Sequence, residues 1–182
     1  ERYGNSRLYR GGFSVRTTLD PKIQKIADKA LRDGLQSYDK RHGWRGPFFK
    51  VKLGEPPAKL SGWVKIFKKL KRPKGLLDWS LAVVLRTNSN FAFIGIENGE
   101  LGRISLKELK WARSWVKGQM LGPKIVEPSD VLYKGDIIAV QPLTKIGERK
   151  AGDKNLYSLK QIPDVNGALV AMDPHTGRIL AM

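Results

Sequence analysis

The chain has 182 residues, enough for one domain or one compact module with flanking segments. Its 34 Lys+Arg against 17 Asp+Glu give a formal charge of +17. That excess points to an anionic partner: nucleic acid, anionic lipid head groups or an acidic polymer such as cell-wall material. With no Cys, no disulfide framework is available. No apolar run approaches the roughly 20 residues of a membrane span, and Glu1-Arg2-Tyr3-Gly4 does not open a signal peptide.

Residues 1–12 are polar and Gly-containing, as a linker is. Phe13 to Thr18 alternates, with Phe13, Val15 and Thr17 on one face, and reads as a short strand. Asp20-Pro21 then signals a helix start, because Asp20 can cap and Pro21 suits the first helical position. Ile23, Ile26, Ala27, Ala30, Leu31 and Leu35 follow at helical spacing opposite Lys22, Lys25, Lys29 and Arg32, so an amphipathic helix is expected over 21–38. Tyr38 to Pro47 is a polar, turn-rich loop, and 48–58 is irregular, with Pro56-Pro57 as a breaker. Leu60 to Lys71 interleaves Leu60, Trp63, Val64, Ile66, Phe67 and Leu70 with four lysines. This is a basic amphipathic helix, packed on its own domain in the reading we prefer or lying on a membrane surface in the alternative.

Beyond Arg72-Pro73-Lys74-Gly75 the chain turns to β structure. Strands are expected at Trp79–Arg86, Phe91–Glu97, Gly102–Leu106, Ile137–Val140 and Leu156–Ile162, with a helical turn at Leu106–Trp111. Five short strands with one helical interruption suggest a small Greek-key barrel of OB-like size. The closing segment, Val165 to Met182, reads as an apolar hairpin turned by Pro174 and Gly177. It stops in mid-run, as a strand pair that continues into a larger sheet would. The fold class is therefore α+β.

Sites of chemistry are sparse. There is no Walker A loop and no Gly-rich dinucleotide fingerprint. His42 and His175 stand far apart without Cys, so the chain offers no zinc-ligand pattern, and no metal or cofactor is expected. The Ser-x-x-Lys spacing of serine acyl-transferases occurs at Ser37–Lys40 and Ser114–Lys117. Neither pair is accompanied by Ser-Asp-Asn or Lys-Thr-Gly, and no catalytic residue is assigned. Trp111-Ala112-Arg113-Ser114-Trp115 remains. Trp111, Arg113 and Trp115 form a candidate stacking or docking surface, for bases or for sugars. In the reading we prefer, one or both indoles close the bottom of the barrel and Arg113 makes an internal ion pair.

Tyr9-Arg10-Gly11-Gly12-Phe13-Ser14-Val15-Arg16-Thr17-Thr18-Leu19-Asp20-Pro21 with its helix resembles the segment that enters the transpeptidase half of class A, bifunctional penicillin-binding proteins. Tyr38 to Pro47 looks like the continuation in their Gram-negative members, and Trp111-Ala112-Arg113 with the Val165–Met182 hairpin completes the resemblance. It implies a region between the glycosyltransferase and transpeptidase active sites, with both sites outside the chain. The implied division is a linker at 1–12, a transpeptidase-linker strand and helix at 13–47, a basic helical segment at 48–75, an OB-like domain at 76–162, and the first transpeptidase hairpin at 163–182. It further implies a spacer and regulator-docking role on the periplasmic side of the inner membrane. The parent would be anchored there by a helix outside this chain, and the partner would be an outer-membrane lipoprotein activator. Peptidoglycan or the membrane face would suit the basic charge. The rival is an OB-fold nucleic-acid binder that uses the basic charge and the indoles.

Overall fold

The computed structural model describes residues 16–54, 62–118, 120–143 and 155–182. The chain forms two compact units, one of Leu35–Val165 and a smaller one that combines the chain up to Gly34 with Asn166–Met182.

In the larger unit, the Val/Ile/Leu runs become strands bounded by turns: β2 (Ser80–Thr87), β3 (Phe91–Ile96), β4 (Leu101–Ser105), β7 (Asp136–Pro142) and β8 (Leu156–Lys160). β2, β3 and β4 form an antiparallel meander. β7 pairs antiparallel with both β2 and β8, and β8 lies parallel to β4, with Arg103 opposite Leu156. The ring β7-β2-β3-β4-β8 is thereby closed, and closure removes the open edges that a five-strand sheet would expose. This mixed, closed barrel bears out the OB-like expectation.

Alternation along each strand divides the apolar residues between two layers. Ala82, Val84, Ala92, Ile94, Ile104, Ile138, Val140 and Leu159 fill the interior with Leu109, from helix α3 (Leu106–Leu109). Leu81, Val83, Ile137 and Ala139 point outward and are just as buried. They are covered by Trp63, Leu76 and Trp79, with partly buried side chains of helix α2 (Val64–Lys69). The Trp63 indole lies over Gly95 and its Nε1 donates to Ile96 O at 2.9 Å. Arg72 donates to Glu97 Oε2 at 2.9 Å and to Trp79 O at 3.2 Å, pinning the segment that follows α2.

The barrel unit thus extends before residue 76. Strand β1 (Phe49–Lys50), which falls in the stretch read as irregular, pairs with β7 through Phe49 opposite Ile137. The helix expected over Leu60–Lys71 is six residues long and packs against its own barrel; Leu60, Pro56 and Pro57 lie outside the described residues. Gly135, at the turn into β7, has φ +91° and accepts from Val51 N at 2.9 Å. A Cβ there would stand 2.1 Å from Val51 O. Gly135→Ala should cost about 2–3 kcal/mol, from left-handed backbone strain and displacement of β1, read as a fall in the urea midpoint.

In the smaller unit, helix α1 (Pro21–Arg41) begins as expected, and its last seven residues belong to the barrel unit. Asp20 Oδ1 accepts from Lys22 N at 2.7 Å and from Ile23 N at 3.3 Å, an N-cap. The buried face is narrower than the six apolar positions implied. Ala27 is buried and Ile23 and Leu31 partly so, but Ala30 and Ile26 are exposed, Ile26 by 68%. The terminal hairpin forms with short strands, β9 (Ala171–Met172) and β10 (Ile179–Ala181). Its turn is fixed by Asp173, which accepts from His175 N and Thr176 Oγ1, and by Gly177 at φ +67°. Asp20 N donates to Leu180 O at 2.9 Å, and Gln24 bonds both N and O of Met182. The strand expected over Phe13–Thr18 lies largely outside the described residues. Arg16–Thr18 are not in a strand, although Thr18 Oγ1 donates to Ile179 O at 2.6 Å.

Candidate functional site: the clamp at the barrel ends and the ribbon beside it

The polar centre of the barrel unit is Asp39, on the last turn of α1 and 3% exposed. Its Oδ1 accepts from Arg45 Nη1 at 2.7 Å and from Asp164 N at 3.1 Å. Its Oδ2 accepts from Gln161 Nε2 at 2.7 Å and from Arg45 Nη2 at 3.2 Å. Gln161 also donates to Gly43 O at 3.0 Å and accepts from Arg45 N at 2.9 Å. Arg45 further donates to Ile162 O at 2.7 Å. A buried carboxylate is stable only when paired and hydrogen-bonded, and this one accepts four bonds. The network joins Asp39, where the chain enters the unit, to Asp164, where it leaves. Entry and exit are adjacent.

The loop between them is held down the same way. Trp44 N donates to Arg113 O at 2.7 Å, and Trp115 N to Trp44 O at 2.9 Å. Gly43 has φ +94° in a space closed by Arg113 O and the Leu121 side chain. The Trp44 indole enters the barrel core and meets Trp111 edge-to-face, centroids 5.9 Å apart.

The structure separates the three candidate residues. Trp111 packs against the core, with Lys40 Nζ 5.1 Å from its ring centroid. Burial holds the Lys40 ammonium below the usual lysine pKa, partly offset by the charge of Glu108. Arg113 makes no ion pair among the described residues. Its Nε donates to Gly122 O at 2.7 Å and its Nη2 reaches Leu121 O at 3.5 Å, because the neighbouring strand offers carbonyls and not a carboxylate. Trp115 stands apart on a two-stranded ribbon, β5 (Trp115–Val116) and β6 (Met120–Leu121), which the strand pattern did not reveal. Trp115 is 49% exposed, Met120 62%, and Val116 is exposed as well. The ribbon thus exposes Trp115, Val116 and Met120, with Lys117 at its turn. Ser37 and Ser114 are both exposed, and Ser114 is committed to a bridge with Trp44. No cluster of potential metal ligands occurs among the described residues.

The missed feature is the clamp. Asp39, Arg45 and Gln161 are separated by up to 122 residues, and only their polar identity at the borders of apolar segments hinted at it.

Residues 44–165 match the model of the Penicillin-binding protein OB-like domain family. The chain is 39% identical over 174 residues to Penicillin-binding protein 1A of Rickettsia typhi, covering 96% of this chain and 19% of that protein. It is 32% identical over 182 residues to Penicillin-binding protein 1A of Escherichia coli, covering 100% and 20%. The crystal structure of Penicillin-Binding Protein 1A from Haemophilus influenzae superposes with a TM-score of 0.60 at 27% identity, covering 99% of this chain and 23% of that one. The chain spans about a fifth of the length of these curated relatives.

Proposed function

This chain belongs to the penicillin-binding protein OB-like domain family, and on that premise we propose that it is a non-catalytic inter-domain module of a bifunctional peptidoglycan synthase. In this reading the parent polymerises lipid II and cross-links stem peptides through a serine acyl-enzyme. It works on the periplasmic side of the inner membrane, to which a segment outside this chain anchors it. Among the described residues no helix is long and apolar enough to cross a membrane. The module's part is to offer an outward surface to a regulator, an outer-membrane lipoprotein activator.

The observation that carries this reading is the Asp39 clamp. Asp164 N lies 3.1 Å from Asp39 Oδ1, so the barrel closes on itself beside its point of attachment. A module whose entry and exit meet adds little length to the chain path between the segments it joins. Of the two roles expected from the resemblance, the clamp therefore favours docking over spacing. The exposed ribbon, with Trp115 and Met120, supplies the apolar anchors that a docking surface needs.

The test is capture by the immobilised chain from a periplasmic and outer-membrane extract, followed by purification of the captured lipoprotein. Trp115→Ser with Met120→Ser should weaken its binding by at least tenfold, as loss of aromatic anchors does. Equal binding by that variant, or capture of no lipoprotein, would remove the docking role.

A further inference from the structure

The added layer of Trp63, Leu76 and Trp79 covers the outside of β2 and β7. Trp63 also reaches over Gly95 at the end of β3, and the rest of the outside of β3 and β4 carries a different set: Phe91, Phe93, Arg103 and, from the end of β2, Arg86. Parity would send Arg86 inward behind Ala82 and Val84. A register shift between Val84 and Arg86 instead sets Arg86 opposite Phe93. Such bulges re-aim a side chain. Its Cζ lies 3.7 Å from the Phe93 ring centroid. Phe93 is opposite Arg103 on the other side, and Arg103 Cζ lies 4.9 Å from the Phe91 centroid. The two rings are 6.4 Å apart and tilted by 55°. Guanidiniums and rings alternate across three strands, with Arg86 exposed and both rings half-buried.

Stacking on a ring uses the face of a guanidinium and leaves its N–H edge, the group that matches a planar carboxylate bidentately. Aromatic rings beside it are platforms for flat, weakly polar ligands. In OB barrels this outer face, on the second and third barrel strands, is where oligosaccharides and oligonucleotides bind. We propose that the Arg86–Phe93–Arg103–Phe91 face binds a carboxylate-bearing glycan strand, sugar rings on Phe91 and Phe93 and a carboxylate at Arg86. This rests on the reading above, in which the parent's product is a glycan with acidic peptides. The exposed Arg86 guanidinium, stacked on one ring, matches a discrete carboxylate. A nucleic acid calls for cations tracking every phosphate, and a membrane calls for a protruding apolar tip.

The experiment measures binding of the whole chain to soluble, uncross-linked glycan strands with stem peptides, by fluorescence anisotropy at low salt. Strands with their carboxyls converted to amides serve as the control. Arg86→Gln should weaken binding about tenfold, as loss of one charge-assisted fork would. Amidated strands should bind more weakly and should no longer distinguish Arg86→Gln from the parent sequence. Phe93→Leu should weaken both. Arg86 is exposed, and an unchanged urea transition would show that its variant is folded. The proposal is overturned by absence of binding, by equal affinity of Arg86→Gln, or by tighter binding to single-stranded oligonucleotides or phosphatidylglycerol vesicles. Failure here leaves penicillin acylation of the full-length protein untouched, so it is distinguishable from failure of the proposed function.

Discussion

Asp39→Ala is expected to lower the stability of the barrel unit by about 3–5 kcal/mol, the range found when one partner of a buried ion pair is removed. The substitution deletes the acceptor of four hydrogen bonds at once. It leaves Gln161 Nε2 with Gly43 O alone and the Arg45 guanidinium with Ile162 O alone. Arg45 is part exposed and water can recover some of its cost; Gln161 is buried and cannot. Asp39→Asn, which keeps an acceptor but loses the charge, should cost less. Urea unfolding followed by tryptophan fluorescence measures both, and near-neutral behaviour of Asp39→Ala would mean that the clamp does not hold the barrel ends together.

Trp63→Ala should cost a similar amount, about 3–5 kcal/mol, for a different reason. The indole is 2% exposed and roofs the outer layer over Gly95. Its removal opens a cavity that backbone Gly95 cannot fill, and it leaves Ile96 O without the Nε1 donor. Because the roof covers β2, β7 and the Gly95 end of β3 from outside, the barrel interior should survive. Near-native far-UV circular dichroism with a lower thermal midpoint is the expected signature. The reciprocal change, Gly95→Val, should be comparably destabilising, since any Cβ there would stand 2.4 Å from Trp63 Cε2.

The five barrel strands and α1 were legible because each writes its own local signal. Ser80–Thr87 and Asp136–Pro142 are runs of Val, Ile and Leu between turns, and α1 has a capping aspartate before a 3.6-residue period. What the sequence concealed depends on partners far along the chain. Phe49–Lys50 is a strand only because β7 accepts it, and two residues carry no period. Trp63 reads as one apolar residue in a basic helix, and its role follows from a glycine 32 positions on, at Gly95. Arg86 breaks alternation, and only the register shift explains how a charge can follow Ala82 and Val84. The candidate trio was drawn from sequence adjacency, and the structure divides it between the core, strand carbonyls and an exposed ribbon. Asp39, the residue on which the functional reading leans most, sat in a stretch read as helix end and polar loop.

Asp173–Gly177 forms a well-bonded turn, Asp20 N donates to Leu180 O of β10, and Gln24 bonds both N and O of Met182. These contacts tie the hairpin to the start of α1.

Penicillin acylation tests the central claim most directly. Three proteins would be compared by mass spectrometry after exposure to a labelled penicillin: the full-length parent proposed for this chain, the same protein with residues 44–163 replaced by a short linker, and the isolated chain. Because entry and exit lie side by side, the excision should leave the rest folded. The account predicts acylation of the first two and none of the third. Acylation of the isolated chain at Ser37 or Ser114, or loss of acylation in an excised protein that still unfolds cooperatively, would contradict it.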